Sequence, residues 1–328
     1  YGIALRQTLE AILETYKGEK SGADWDNFMD YCKRFFFSNG NHHHYSADKF
    51  IPGCSFEYFS ELVKNSDQAR LPLNGKSVDE YLVRLKTIMF DPTYDSKCVD
   101  LSAKDVIASS CNNFYEGLTQ KEVEDYYEQI KLADTTNKSQ IGFNSKLMKV
   151  DGKIVEQVYK LGGMYSTAIE KIIFWLQKAS GVAENPGQKL TIDRLIKFYQ
   201  TGDPVDFDDY SVAWVCDTIS TVDAVNGFIE VYQDALQKKS AFESVVSMKD
   251  FEATKRIAAV SHEAQWFEDN SPIMKEHKKD TVTGISAKVI TVISEVGDAA
   301  PSTPIGINLP NNEWIREDTG SKSVSLSN

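Results

Sequence analysis

The fold of this chain is best interpreted outward from one stretch, Gly227-Phe228-Ile229-Glu230-Val231-Tyr232-Gln233-Asp234. On an extended strand side chains alternate between two faces, so Glu230 and Tyr232 would project from the same one. That surface would carry a carboxylate and a phenol. The same pair also fits a solvated strand surface with no ligand.

A second stretch is rich in turn-forming residues and reads Pro304-Ile305-Gly306-Ile307-Asn308-Leu309-Pro310-Asn311. We expect its backbone groups and its two asparagines to face an extended ligand, so that the two stretches form a peptide-binding wall. Asn308 and Asn311 also suit a simple chain reversal, with Asn311 or Asn312 capping a short helix.

Composition predicts a globular protein that is long enough for two or more domains, with a single lobe as the alternative, because 328 residues with 41% hydrophobic and 11% aromatic side chains can fill a sizeable core. The net charge of -12 and the sequence pI near 5.0 argue against a nucleic-acid partner, whose phosphates require clustered Lys and Arg. No apolar run approaches the roughly 20 residues of a spanning helix, so no membrane partner is expected.

The five cysteines are odd in number and form no Cys-x-x-Cys pair, which disfavours a disulfide framework or a zinc knuckle. The chain opens at Tyr1 without Met and stops at Asn328 after a strand-like run, which indicates a piece of a longer protein. A cytoplasmic location is favoured, and the cell envelope stays open as an alternative.

Periodicity divides the chain into a mainly helical region, 1–138, and a mixed α/β region, 139–328. Ser77 with Glu80 matches a capping box at a helix start. The predicted fold class is α+β, largely helical with a small antiparallel β-barrel or sheet.

Three local patterns place elements in the second region. Asp151-Gly152 joins two strand-like runs and predicts a hairpin. Asn185-Pro186-Gly187 is interpreted as a loop, and the β-branched run 282–293 as a strand.

Two histidine patterns suggest metal sites only weakly. Consecutive His42, His43 and His44 point in different directions on any regular element, so a polar turn is favoured over a shared metal. His262-Glu263 begins a His-Glu-x-x-His motif, but Trp266 occupies the position of the second histidine. No metal ligand is therefore predicted in this chain.

Several motifs together resemble the dipeptidyl peptidase III family, including its bacterial branch. The resemblance rests on Trp214, Asp217, Gly-Phe-Ile-Glu-Val-Tyr at 227–232, Ile-Gly-Ile-Asn-Leu-Pro-Asn at 305–311 and Ser-Lys-Ser-Val-Ser-Leu-Ser-Asn at 321–328. Further matches are Ser38-Asn39-Gly40, residues 42–46, Gly-Gly-Met-Tyr-Ser at 162–166, and Phe251, Glu252, Ala253, Lys255 and Arg256.

The resemblance implies part of a two-lobed zinc exopeptidase that removes dipeptides from the amino end of short peptides. Glu230 would pair with the substrate ammonium, and Asn308 and Asn311 would hydrogen-bond the substrate. The backbone at Ile305 and Gly306 would supply strand-like contacts. Tyr232 would be the catalytic residue that donates to the developing oxyanion.

The sequence departs from the family at the metal site. The family's His-Glu-x-x-Gly-His motif is absent from the chain, so zinc is expected in a full-length parent and none here. The fragment alone is accordingly expected to be inactive. A non-catalytic peptide-binding or interaction module stays open as the alternative.

Overall fold

The structure, a computed structural model, describes residues 1–133, 138–282, 288–301 and 304–326. Contacts divide the chain into two compact units. Unit 1 comprises Tyr1–Asn113, Leu118–Gln120 and Gln233–Leu236, and unit 2 comprises Phe114–Gly117, Lys121–Tyr232 and Gln237–Asn328. The domain boundary near residue 138 stays a prediction.

Unit 1 is helical. Its helices are α1 (Gly2–Thr15), α2 (Ala23–Phe37), α3 (Phe56–Lys64), α4 (Val78–Leu85) and α5 (Val106–Ser109), with short helical turns at Gln68–Arg70 and Lys86–Phe90. The apolar faces of α1, α2, α3 and α4 meet in one core that includes Leu9, Phe28 and Phe59. The predicted capping box is confirmed, because Ser77 and Glu80 each accept a hydrogen bond from the other's backbone N–H.

The three histidines of unit 1 lie in a hydrogen-bonded turn, as the favoured interpretation expected. His42 Nε2 lies 2.8 Å from the carbonyl oxygen of Asp95, and His43 Nδ1 accepts from the backbone N–H of Tyr45. Burial lowers the pKa of His42. These hydrogen bonds join the histidine rings to backbone groups and stabilise the turn.

Unit 2 carries the remaining elements. The helices are α6 (Gln120–Ala133), α7 (Ser166–Ser180), α8 (Pro186–Thr201), α9 (Pro204–Cys216), α10 (Phe251–His262), α11 (Ala264–Asn270) and α12 (Glu313–Asp318). The strands are β1 (Tyr115–Glu116), β2 (Ser145–Val150), β3 (Lys153–Val158), β4 (Val222–Phe228), β5 (Phe242–Lys249), β6 (Lys288–Gly297), β7 (Gly306–Leu309) and β8 (Lys322–Leu326).

The strands form two sheets. The smaller has the order β1-β2-β3, and the larger has the order β4-β5-β6-β8-β7. In the larger sheet β6 and β8 are parallel, whereas the other neighbours are antiparallel. The sequence predicted a small β-barrel or sheet, and the described residues form two open sheets. The predicted α+β class is confirmed.

Local turn chemistry explains one confirmed prediction and one wrong one. Asp151 and Gly152 both have positive φ, 50° and 76°, which is the conformation that a tight hairpin between β2 and β3 requires. Asn185-Pro186-Gly187 is the start of α8 and not a loop. The Asn185 side chain accepts a hydrogen bond from Gln188 N, and Pro186 takes the first helical position, where its missing N–H costs nothing.

The core of unit 2 lies where α7, α8 and α9 pack with the larger sheet, and it includes Phe198, Tyr199, Trp214 and Phe228. The predicted strand at 282–293 is confirmed from Lys288 onward, and residues 283–287 lie outside the described residues. Within the described ranges, no helix is both apolar and long enough to cross a bilayer.

Candidate peptide-binding site

Strand β4 ends earlier than the sequence predicted, and this changes where Glu230 points. The last strand residue is Phe228, so Glu230 and Tyr232 are not two positions on one regular strand. Ile229 N donates to Ala241 O, but Ala241 N donates to Glu230 O, so two residues oppose one. This bulge interrupts the alternation of side chains and brings Glu230 to the face of Gly227.

The second stretch contains a strand that was interpreted from sequence as turn-rich. Asn308 lies on β7 and pairs with Ser323 on β8, whose hydroxyl donates to its side-chain oxygen at 3.2 Å. Asn311 follows the end of β7, after Pro310. Both asparagine side chains are exposed.

Glu230 and Asn311 lie near each other, although the strands that precede them, β4 and β7, are at opposite ends of the sheet order. The side-chain amide of Asn311 lies near the half-buried carboxylate of Glu230 and acts on it as a hydrogen-bond donor that lowers its pKa. Burial raises the pKa of Glu230, and the negative charge of Asp298 raises it further, whereas the bond from Asn311 opposes the shift. A cation placed here would relieve the electrostatic cost of the buried charge.

A second carboxyl group, that of Glu243 on β5, stands next to Glu230. Its neighbours on the adjoining strands are Gly227 and Gly297, so no cross-strand side chain covers it on either side. Glu243 is 8% exposed, and burial together with the charges of Glu230 and Asp298 raises its pKa to about 8. The site is therefore acidic and partly protonated at neutral pH.

The predicted catalytic residue and two of the residues predicted to bind substrate lie on the surface. Tyr232 is 74% exposed, in the turn after β4, and Ile305 is 90% exposed just before β7. Gly306, the first residue of β7, is also exposed. The structure thus brings Glu230 and Asn311 into contact, places Asn308 on the strand that leads to Asn311, and leaves the phenol open to solvent.

A buried lysine anchors the segment that follows the turn. Lys239 is 0% exposed, and its ammonium donates to Gly142 O at 2.9 Å, to Ser145 Oγ at 2.7 Å and to the hydroxyl of Tyr127. The Glu156 carboxylate lies 3.5 Å away. These contacts fix the start of β5 beside the bulge.

Next to Asn311 lies a small apolar cavity of about 50 Å³. Phe207, Trp214, Phe228 and Leu309 contribute to its walls. Asp208 at its edge accepts hydrogen bonds from Ser139 and Asn312, and burial raises the pKa of this carboxyl.

No three His, Cys, Asp or Glu side chains are grouped as metal ligands in the part of the chain that the structure describes. No chemical step is assigned to a metal held by these described residues.

Sequence reasoning missed Glu243 and Asp298. Glu243 gives one weak signal, since it precedes an apolar stretch in the β5 run Phe242–Lys249. Its acidity depends on Gly227 and Gly297 lying opposite it, and that alignment is set by strand pairing.

Comparison with known proteins identifies the family. The sequence model of "Peptidase family M49" matches residues 101–328. This chain belongs to peptidase family M49. A dipeptidyl peptidase 3 from Nematostella vectensis is 24% identical in an alignment of 334 positions that covers 93% of this chain and 45% of that protein.

Solved structures share the fold of this M49 chain. Dipeptidyl-peptidase III from Corallococcus sp. strain EGB superposes with a TM-score of 0.60 at 21% identity, over 98% of this chain and 53% of that one. DPP III from Caldithrix abyssi gives a TM-score of 0.57 at 22% identity, over 99% and 53%. The chain spans about half the length of these relatives.

Proposed function

We propose that this M49 chain binds the free amino end of short peptides and forms the substrate-binding part of a dipeptidyl peptidase. The observation that carries the proposal is the pairing of Glu230 with Asn311 beside Asp298 and Glu243. A half-buried carboxylate among other acids is complementary to an ammonium group. The side-chain NH2 group of Asn311 would hold that carboxylate in place, while the side-chain carbonyl oxygen of Asn311 remains a hydrogen-bond acceptor.

The body of the peptide would lie along β7. This strand ends the sheet order and pairs with β8 on one side only within the described ranges, so its other edge suits an added strand. Exposed Ile305 and Gly306 offer backbone groups at the start of that edge. Asn308 would contact the peptide backbone from the same strand.

Tyr232 would act on the scissile bond. Its exposed phenol is two residues beyond Glu230, the proposed anchor of the amino end. A hydrogen bond donated to the carbonyl oxygen stabilises negative charge that develops there during hydrolysis. Cleavage after the second residue would follow from a fixed distance between the anchor and this phenol.

Zinc stays part of the proposal for a longer parent protein, where residues other than those described here would hold it. Such an ion would supply Lewis-acid activation of the hydrolysis. The described residues would bind and orient the peptide.

The test compares two tetraalanine peptides, one with a free amino end and one acetylated, by calorimetric titration into the 328-residue chain. We expect the free peptide to bind at least about tenfold more tightly, because a charge-assisted hydrogen bond contributes about 1.5–3 kcal/mol. Glu230→Gln should abolish the difference. Glu252→Gln, an exposed site on α10, should preserve it.

Equal binding of the two peptides by the unaltered chain would refute the proposal. Release of dialanine by a longer parent protein containing this chain would support the peptidase. Binding without release by that parent would leave a non-catalytic peptide-binding module.

A further inference from the structure

Strands β4 and β7 lie at opposite ends of the larger sheet, yet Glu230, which follows β4, and Asn311, which follows β7, lie near each other. Between them β6 and β8 share only three described residue pairs, Lys288 with Val324, Val289 with Ser325 and Ile290 with Leu326. So short a ladder gives little control over the position of β8 and β7. Leu309 of β7 packs in the core of unit 2, and a polar contact on β8 adds to that packing.

Lys322, the first residue of β8, makes that contact. Its ammonium lies 3.0 Å from Asp223 Oδ2 on β4 and 4.4 Å from the centre of the Trp214 ring on α9. The indole N–H of Trp214 donates to the other oxygen of Asp223 at 2.8 Å. The three side chains form a closed triangle, and the lysine side chain is only 11% exposed.

The pairing of β8 with β7 links Lys322 to the candidate peptide-binding site. Lys322 pairs with Leu309, and the next residue pairs with Asn308, so fixing Lys322 fixes β7. Asn311 is two positions beyond Leu309. Asp223 is the second residue of β4, and Glu230 lies two residues beyond the end of the same strand, so the Lys322 contact and the Glu230 site are linked through β4.

We propose that Lys322 is a positioning residue, which joins β8 to Asp223 and Trp214 and thereby holds Asn311 against Glu230. Arginine at this position would keep the charge and the stacking on the indole. Methionine would keep the length of the side chain and lose the charge.

The first test does not depend on peptide binding. Amide hydrogen exchange is followed in β7 and β8, with the β2 and β3 hairpin as an internal reference. Lys322→Met and Asp223→Asn should each accelerate exchange in residues 306–309 at least about tenfold, because both remove the same ion pair. Lys322→Arg should restore most of the protection.

A matched control is Lys121→Met, which breaks an exposed Lys–Asp pair within helix α6. It should leave exchange in β7 unchanged, since exposed pairs of this kind contribute little. Unchanged exchange in a folded Lys322→Met protein would overturn the proposal. So would equal acceleration by Lys322→Met and Lys322→Arg.

The second test rests on the proposed function. Lys322→Met should lower the preference for the free over the acetylated peptide by about tenfold, with Lys322→Arg recovering it. A general loss of folded protein would lower the number of binding sites and leave this ratio unchanged. If the unaltered chain shows no preference, the proposed function fails, and hydrogen exchange still decides the role of Lys322.

Discussion

Replacing Glu243 by glutamine should make unit 2 more stable in alkaline solution than the unaltered protein. The pKa of Glu243 is about 8 in the folded chain, against an ordinary value of 4.5. Between these values the folded state keeps a proton that the unfolded chain has released. The unfolded state then binds fewer protons, so the free energy of unfolding decreases as the pH rises.

The size of the effect follows from the two pKa values. From about pH 6 to about pH 9 the folded protein should lose roughly 2 to 3 kcal/mol from this one group, since each unit of pKa difference is worth about 1.4 kcal/mol. Because Glu243 is only 8% exposed, screening by solvent does not reduce this free-energy difference. Glutamine has a similar shape and no proton to lose, so Glu243→Gln should lack the decrease.

Urea unfolding of both proteins, followed by far-ultraviolet circular dichroism at several pH values, measures the difference. Glu252→Gln, at an exposed position, serves as the control and should follow the unaltered protein. Parallel pH profiles for Glu243→Gln and the unaltered protein would refute the reasoning. They would mean that Glu243 is ionised at neutral pH despite its burial.

Three further predictions concern single contacts. Asn311→Ala removes the hydrogen bond to Glu230, so affinity for the free tetraalanine peptide should fall about tenfold by calorimetry, and an unchanged affinity would separate Asn311 from the site. Lys239→Met leaves buried acceptors without their ammonium, so urea unfolding should show a loss of about 3 kcal/mol, and a loss below about 1 kcal/mol would contradict the anchoring role. Ser77→Ala removes the cap of α4 and should cost about 1 kcal/mol in the same assay, whereas the exposed Ser21→Ala should cost almost nothing.

Features set by a few neighbouring residues could be predicted from the sequence. The Asp151-Gly152 turn and the Ser77 cap depend on local backbone preferences, and both form as expected. The Asn185-Pro186 pair was ambiguous because asparagine before proline suits a loop as well as a helix start. The packing of the following helix decides between the two.

The geometry of the candidate site depends more on residues that are distant in the sequence. The residues Glu230 and Asn311 were identified from sequence, but the bulge that orients Glu230 arises from hydrogen bonds to Ala241 across the sheet. The low exposure of Glu243 and the contact of Lys322 with Asp223 likewise depend on strand pairing. No local pattern carries that information. The roles of Tyr232 and of the exposed β7 residues stay predictions.

The extra residue opposite Ala241 decides to which face of the sheet the Glu230 side chain points. Removing Ile229 would leave a single residue opposite Ala241 and restore a regular ladder, in which the glutamate directly after Phe228 would still point to the face of Gly227. A regular ladder with the present spacing would instead turn the carboxylate to the other face of the sheet. When related sequences are aligned, the spacing from Phe228 is therefore as informative as the presence of the acid.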